Sequence, residues 1–357
     1  MRMRADAREM KPQTGSDEVR YRAMIGVGGI GAGSFFALSG NHTLGREESR
    51  GGRFLDRNDY CKLHIVSHYV QTLLGPDFTV LPVGKVGDDD VGKRLLAEMR
   101  ETGMDMRRVQ VSPGDQTLFS FCFVYPDGSG GNMTTDDSAC SKVDAAFVAA
   151  AAPEFARFEG RGIALALPEV PIEAREALLE LGTKHGFLRI AGFNSEEIAH
   201  AATCGTLARV DLLAINLDEA AAVAGVSADK NAADVVVSAA VDKLTSINTA
   251  LLVSVTAGDR GSWVWDGRAL SHAPAFKAKL VSSAGAGDAH LSGIIVGLVA
   301  GLPLSEAQQL GALTGALSVT SPHTINKDIN RESLYAFAQQ SGSDLPETVR
   351  MLLEDQS

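Results

Sequence analysis

Between Tyr21 and Val255, apolar strand-like segments alternate with segments of helical periodicity, and this alternation leaves few folds open. The strand candidates are Tyr21–Val27, Phe78–Val86, Gly162–Leu167, Leu188–Ala191, Leu212–Ile215 and Ala250–Val255. Helical patterns occupy Val91–Thr102, Ile172–His185, Ser195–Thr203, Asp218–Ala224 and Ala232–Asn248, and then Ala289–Ala300, Ser305–Thr320 and Arg331–Gln340. Strands separated by helices pair in parallel, because the crossover needs a helix-sized connection. The expectation is a three-layer α/β/α domain over residues 21–340 with a mostly parallel central sheet. Two regions break the rhythm. Asn41–Tyr60 is unusually charged, and Thr117–Val124 followed by Pro126, Asp127 and Gly128 reads as a hairpin. Together they predict a small β-rich lid near residues 34–60 and 115–141. Residues 1–20 read as a flexible polar tail without the apolar core of a signal peptide, and residues 341–357 as a peripheral tail.

At 357 residues and 45% hydrophobic content, the chain can bury a substantial core. A net charge of −11 argues against nucleic-acid partners, which are bound by clustered Lys and Arg. A small molecule is the expected ligand. Cys61, Cys122, Cys140 and Cys204 are widely separated and form no C-x-x-C motif, so they read as buried thiols of a reducing cytoplasm. The apolar run Leu291–Leu302 is too short to span a bilayer and reads as a core helix, so no membrane partner is expected. The acids Asp88, Asp89 and Asp90 could bind metal, but they precede a helix and read better as a solvated cap, with Asp90 or a neighbour in that place.

Residues 281–293 carry the most chemistry. Gly285, Ala286 and Gly287 form a turn just ahead of the late apolar helix, with Asp288 immediately behind them. Glycines allow a tight turn and a close approach of backbone to ligand, and the free N–H groups of a first helical turn favour an anion. A carboxylate beside a bound phosphate suits the removal of a proton from an attacking hydroxyl, although an Asp can also simply cap a helix.

Two more clusters follow strands. Asn216 and Glu219 stand at the C-terminal edge of Leu212–Ile215, where open α/β sheets bind ligands. Their spacing suits either a hydrated magnesium ion or a capping pair. Thr256, Gly258 and Gly261 follow Ala250–Val255 and could let backbone amides meet a phosphate chain, or form a plain β-turn before Ser262–Trp265.

Taken in order, Asn216 with Glu219, Thr256-x-Gly258-x-x-Gly261 and Gly285-Ala286-Gly287-Asp288 resemble the ribokinase-like (PfkB) carbohydrate kinases. Val83–Asp89, followed by Gly92 and the helix to Gly103, also resembles that family. The resemblance implies the ribokinase-like fold and transfer of the ATP γ-phosphoryl group to a hydroxyl of a sugar or sugar derivative. It further implies Asp288 as general base, with the amides of Gly285, Ala286 and Gly287 stabilising the transferring group. Asn216 and Glu219 would organise Mg2+; Thr256, Gly258 and Gly261 would line the ATP phosphates; and the helix Ser305–Thr320 would flank the adenine. Dimerisation through the lid is a further implication.

Departures from the family cluster where the acceptor belongs. The loop Gly28–Gly33 has no acid where relatives hold sugar hydroxyls, and the family's Gly-Gly-x-Gly-x-Asn element is only partly visible in Gly51, Gly52 and Arg53. Asn41, Arg46, Gly51, Gly52 and Arg53 are therefore expected to bind the substrate, with a charged or phosphorylated sugar as the candidate their arginines suit, unless they belong to a solvated loop. Ser282, Ser283 and Ala284 replace the family's Asp-Thr-Thr, which removes the basis for potassium activation, and His290 stands where an aromatic residue is common. A competing pattern, Gly26-x-Gly28-x-x-Gly31 with Glu47 or Glu48 about twenty residues on, fits the loose dinucleotide fingerprint of an oxidoreductase. A third reading is a non-catalytic nucleotide or sugar sensor on the kinase fold.

Overall fold

The computed structural model describes residues 20–127, 130–228, 232–342 and 344–354. The expected N-terminal tail and the hairpin residue Gly128 lie outside them, apart from Arg20. The central sheet has nine strands: β1 (Ala23–Val27), β4 (Thr79–Gly87), β5 (Val109–Ser112), β8 (Gly162–Ala166), β9 (Leu188–Gly192), β10 (Leu212–Asn216), β11 (Leu252–Thr256), β12 (Ser262–Trp265) and β13 (Leu270–Ala273). Their order is β13-β12-β11-β10-β9-β8-β1-β4-β5. All neighbours pair in parallel except at β12 and β13, which extend one edge antiparallel. From β1 the chain goes first to β4 and β5 on one side and later to β8 and the rest on the other. The sheet's topological switch point is therefore the gap between β1 and β8.

Strand periodicity divides the core in two. Ala23, Ile25 and Val27 face one cluster, with Leu178 of α5 (Ile172–Lys184), Ile198 of α6 (Ser195–Ala201), Val223 of α7 (Leu217–Ala224) and Val237 of α8 (Ala233–Ile247). Val148 of α3 (Ala145–Ala149) and Phe155 of α4 (Ala152–Arg157) complete that layer. Met24 faces the other cluster, with Leu63 and Val66 of α1 (Lys62–Leu74), Leu95 of α2 (Asp90–Glu101), Ile294 of α9 (Ala286–Val299) and Leu310 of α10 (Leu304–Ser318). Helices α9 and α10 pack closely: a Cβ on Gly293 would lie 2.6 Å from the Gly311 Cα. The run expected as a core helix is one, since α9 is buried from Ala289 to Val299.

A second, four-stranded sheet stands off this body, in the order β3 (Gly52–Tyr60), β2 (Gly31–Leu38), β6 (Leu118–Val124) and β7 (Gly130–Thr134). This is the expected lid. β2 follows β1 almost directly, so the chain after Gly28 runs into a strand, and no helix starts there to receive a pyrophosphate. That geometry removes the dinucleotide-binding reading. β3 returns antiparallel to β2 and leads through Cys61 into α1.

Three findings correct the sequence reading. The polar segment after Gly342 is not simply peripheral: α12 (Glu347–Glu354) buries Val349 and Leu353 in the same cluster as Leu334 and Ala338 of α11 (Arg331–Ser341). Among the cysteines, only Cys61 and Cys140 are buried; Cys204 is exposed and Cys122 half-buried. The residue that caps α2 is Asp89, and it does more than meet water. Its Oδ1 accepts from the Gly92 N–H and the Thr117 hydroxyl, both at 2.7 Å, and its Oδ2 accepts from the Thr117 N–H at 2.7 Å. No group of three or more His, Cys, Asp or Glu among the described residues could hold a metal ion, and no helix among them is long and apolar enough to cross a membrane.

Burial works to raise the Asp89 pKa, but the bonds from Gly92 and Thr117 win and hold it below the usual carboxylate range. A depressed pKa contributes stability above the unfolded value that is lost as pH falls through the folded one. Asp89→Ala should destabilise the fold by about 1–2 kcal/mol at pH 7, as read by urea denaturation. The difference from wild type should shrink below about pH 4; a constant difference down to pH 2 would refute the assignment.

Candidate active site

The parallel register sets Asn216, the last residue of β10, directly beside Thr256, the last residue of β11. The C-terminal edge of the sheet thus holds two of the three sequence clusters side by side. The third faces them from α9: a Cβ on Gly287 would lie 3.8 Å from the Thr256 hydroxyl. Lys62, Asn216, Glu219, Thr256, Gly287 and Asp288 line one small cavity of about 70 Å³.

Gly285 is the N-cap of α9 and adopts the left-handed conformation, φ 79°. Its missing side chain is required twice over, since a Cβ there would also sit 2.6 Å from the Thr324 carbonyl oxygen. No side chain caps the helix. The Ala286 N–H makes only a long bond, 3.3 Å, to the Ser283 carbonyl, so the next N–H groups of the first turn, at Gly287 and Asp288, are left to an outside acceptor, and the helix dipole makes an anion the favoured one. The helix begins at Ala286, a turn earlier than the apolar periodicity suggests, because this glycine cap lets it start inside the signature.

Asp288 lies in that first turn with its carboxylate largely buried, and Lys62 Nζ, from the first residue of α1, stands 3.9 Å from its Oδ1. Burial raises the Asp288 pKa, and the ammonium opposes the rise. The same contact, with Glu169 and Glu219 adding to it, raises the Lys62 pKa and keeps it charged. Burial also pushes Glu169 and Glu219 up to about 7. One lysine thus serves a group of acids that would otherwise protonate.

Asn216 and Glu219 form a reciprocal cap on α7. The Asn216 side chain accepts from the Glu219 N–H at 2.9 Å, and the Glu219 carboxylate accepts from the Asn216 N–H at 2.8 Å. The capping alternative is therefore realised, and both side chains still line the cavity. The turn after Thr256 closes with the Ala257 N–H donating to the Gly261 carbonyl at 2.9 Å. Gly258 and Gly261 have positive φ, and a Cβ on Gly261 would collide with the Ala273 carbonyl at 2.1 Å. His290 is buried behind the site, where desolvation lowers its pKa to about 4 and keeps it neutral.

The sequence profile of the pfkB family carbohydrate kinases matches residues 66–331, well over half of the chain. The chain belongs to this family. Its members are phosphotransferases. A ribokinase of Schizosaccharomyces pombe is 26% identical over 244 residues, 68% of this chain and 74% of that protein. An inositol 3-kinase of Arabidopsis thaliana is 43% identical over only 67 residues, 19% of each chain. The fold is shared with ribokinase from Arabidopsis thaliana complexed with ribose and ATP, at a TM-score of 0.69 and 19% identity over 89% of this chain and 98% of that one. It is also shared with ribokinase from Cryptococcus neoformans var. grubii serotype A in complex with ADP, at 0.72 and 16% over 90% and 99%.

The pfkB turn is brought together with Thr256, Asn216 and Glu219, but the residues expected to bind substrate are not. Gly52 and Arg53 pair with Leu38 and Ala37, whereas the base of β3, at Tyr60, pairs with Ala32. Eight strand steps of about 3.3 Å separate the two ends, roughly 25 Å. Asn41 caps a lid loop by accepting from the Asp127 N–H, Arg46 and Arg53 are exposed, and Gly51 lies beside Ser39. The neighbouring Arg50 is taken up by Glu48 at 2.7 Å. Sequence reasoning missed Lys62, Glu169 and Asp59. The available signals were the run Asp59–Lys62 at the end of the charged segment and Glu169 after the strand Gly162–Leu167.

Gly285→Ala should cost at least about 1–3 kcal/mol, from a strained backbone and the Thr324 contact. Gly287→Ala, whose Cβ would meet only the Thr256 hydroxyl in ordinary contact at 3.8 Å, should stay within about 0.5 kcal/mol of wild type. Denaturant titration of both variants gives the comparison, and equal effects would contradict the special role of Gly285.

Proposed function

We propose that this family member transfers the γ-phosphoryl group of ATP to a hydroxyl of a sugar or sugar derivative, with Asp288 as general base. One observation carries the reading. A carboxylate paired with a lysine sits in the same helical turn as uncapped N–H groups, so the group that accepts a proton and the groups that would hold a phosphoryl oxygen are adjacent. Phosphoryl transfer asks little more of a protein than this positioning and charge stabilisation. Support for ATP as donor comes from the ribokinases of the same fold that bind ATP or ADP.

In this reading the amides of Gly285, Ala286 and Gly287 stabilise charge on the transferring group. Lys62 holds Asp288 in its ionised, proton-accepting form and adds a positive charge beside the reacting oxygens. Thr256, Gly258 and Gly261 border the phosphate chain, with Thr256 facing the Gly287 position. A magnesium ion, when bound, neutralises charge on the phosphates. Asn216 and Glu219 fit it as holders of its water shell, since one amide and one carboxylate already joined by capping bonds cannot form a cage of direct ligands. The lid excludes water that would otherwise accept the phosphoryl group. Its exposed Phe54 and Met133 form the face on which a second copy would pack.

Asp288→Asn should lower kcat by about 10²–10⁴-fold while leaving ATP affinity unchanged; retained turnover would reject the base. A base acts when ionised, so the rate should fall as pH drops through the raised Asp288 pKa. Removing the opposing charge by Lys62→Met should move this acid limb to higher pH, and an unmoved limb would contradict the pairing. Phe54→Glu should abolish any dimer seen by sedimentation; a dimer that persists would place the interface elsewhere.

A further inference from the structure

A second cleft, of about 520 Å³, lies where α1 and α2 end, and it shares no lining residue with the cavity around Asp288. Gly75 ends α1 and Thr102 ends α2, and both line the cleft, as does Lys327 from the loop before α11. A space of this size suits a small organic molecule. Two helix C-terminal ends give it a negative potential through their carbonyls, which favours a cation. Helix α1 has no basic residue in its last turn, and Arg100, in the last turn of α2, does not line the cleft. Arg331, also outside the lining, donates to the Leu73 carbonyl of α1 at 2.7 Å.

The buried polar groups of the cleft are short of donors. His68 is only 8% exposed and Gln71, three residues on along the same helix face, 3%. The Thr102 hydroxyl donates its one proton to the Glu98 carbonyl at 2.9 Å, so it accepts from His68 Nδ1 at 3.3 Å. His68 Nε2 is thus left with a lone pair and no partner among the described residues. Burial, with Lys327 adding to it, lowers the His68 pKa to about 4 and keeps the ring neutral. Gln71 spends its amide N–H groups on the Gly75 and Phe78 carbonyls, at 2.8 and 3.3 Å, which leaves its Oε1 buried and unbonded. The two carboxylates of the lining differ. Glu98 is filled, since it accepts from the Tyr60 hydroxyl at 2.7 Å, from Arg94 at 3.0 Å and from Lys327 at 3.2 Å. Glu101 is exposed and has no ion pair among the described residues.

We propose that this cleft binds a small organic cation, a primary ammonium or guanidinium carried on a short carbon chain. Such a group offers donors and no acceptor. Its charge pairs with the Glu101 carboxylate and is complemented by the two helix ends, while its remaining N–H groups meet the lone pair of His68 Nε2, with Gln71 Oε1 beside it. An anion would face acceptors on every side and find only Lys327, which is already held by Glu98. The inference does not depend on the kinase reading, because no lining residue of this cleft belongs to that site.

Isothermal titration of the nucleotide-free full chain at about pH 7.5 tests it, with agmatine and diaminobutane as probes and n-butanol and butyrate as uncharged and anionic controls. Saturable binding of the amines with Kd below about 1 mM, and none of the controls, is the expected result. Glu101→Gln should weaken that binding roughly ten-fold. Thr72→Arg, which sets a tethered guanidinium into the lining, should abolish it. Melting temperature is followed in both variants, and if one of them loses stability the other decides. Asp288→Asn, in the other acidic site, should leave amine binding unchanged. Absence of saturation by either amine, equal binding of butanol or butyrate, an affinity that survives Glu101→Gln or Thr72→Arg, or one that falls with Asp288→Asn overturns the proposal.

Discussion

The left-handed turn at Gly285, backed against the Thr324 carbonyl, decides where the N-terminal end of α9 points. Everything chemical in the molecule is arranged around that end. The parallel register brings Asn216 and Thr256 to it from the sheet, α1 brings Lys62, and α9 itself carries Asp288. A side chain at position 285 would push the turn away from Thr324 and misalign the free amides with the strand edge. The close packing of α9 on α10 at Gly293 and Gly311 fixes the helix axis, so the turn has no slack to absorb such a shift.

Electrostatics gives the site its second constraint. Several carboxylates lie close together at the edge of a sheet, and burial alone would drive them towards protonation. Lys62 offsets that tendency at Asp288, where the proposed reaction needs charge, while Glu169 and Glu219 remain near 7. The arrangement costs stability as an isolated acidic cluster would, and it persists because each acid also accepts a backbone N–H or faces the lysine.

How much of this was legible in the sequence follows from where the physical signal lies. The central parallel strands are apolar on both faces, so β1, β4, β8, β9, β10 and β11 are visible as runs, within a residue or two. The lid strands β2 and β3 are not: one is rich in glycine and the other in exposed charges, and neither alternates cleanly. Helix α1 is hidden for the opposite reason, since His64, Ser67, His68 and Gln71 are buried and erase its amphipathic pattern. The Asp288 turn is read from contiguous residues. Asp59, Lys62 and Glu169 meet only through topology, and the arginines of the lid misled because composition carries no information about distance along a strand.

Thr324 also touches the lid: its N–H donates to the Asn58 carbonyl at 3.1 Å, and its hydroxyl accepts from the Tyr60 N–H at 2.9 Å. The residue that backs the Gly285 turn is thus the same residue that pins the base of β3. Raising the lid would break both bonds and unload Gly285 in one movement. By thermodynamic linkage, whatever factor a ligand that clamps the lid strand applies to anion binding at α9, the anion applies to that ligand's binding in return. The two halves of the reaction would then be felt by one another before any bond is made.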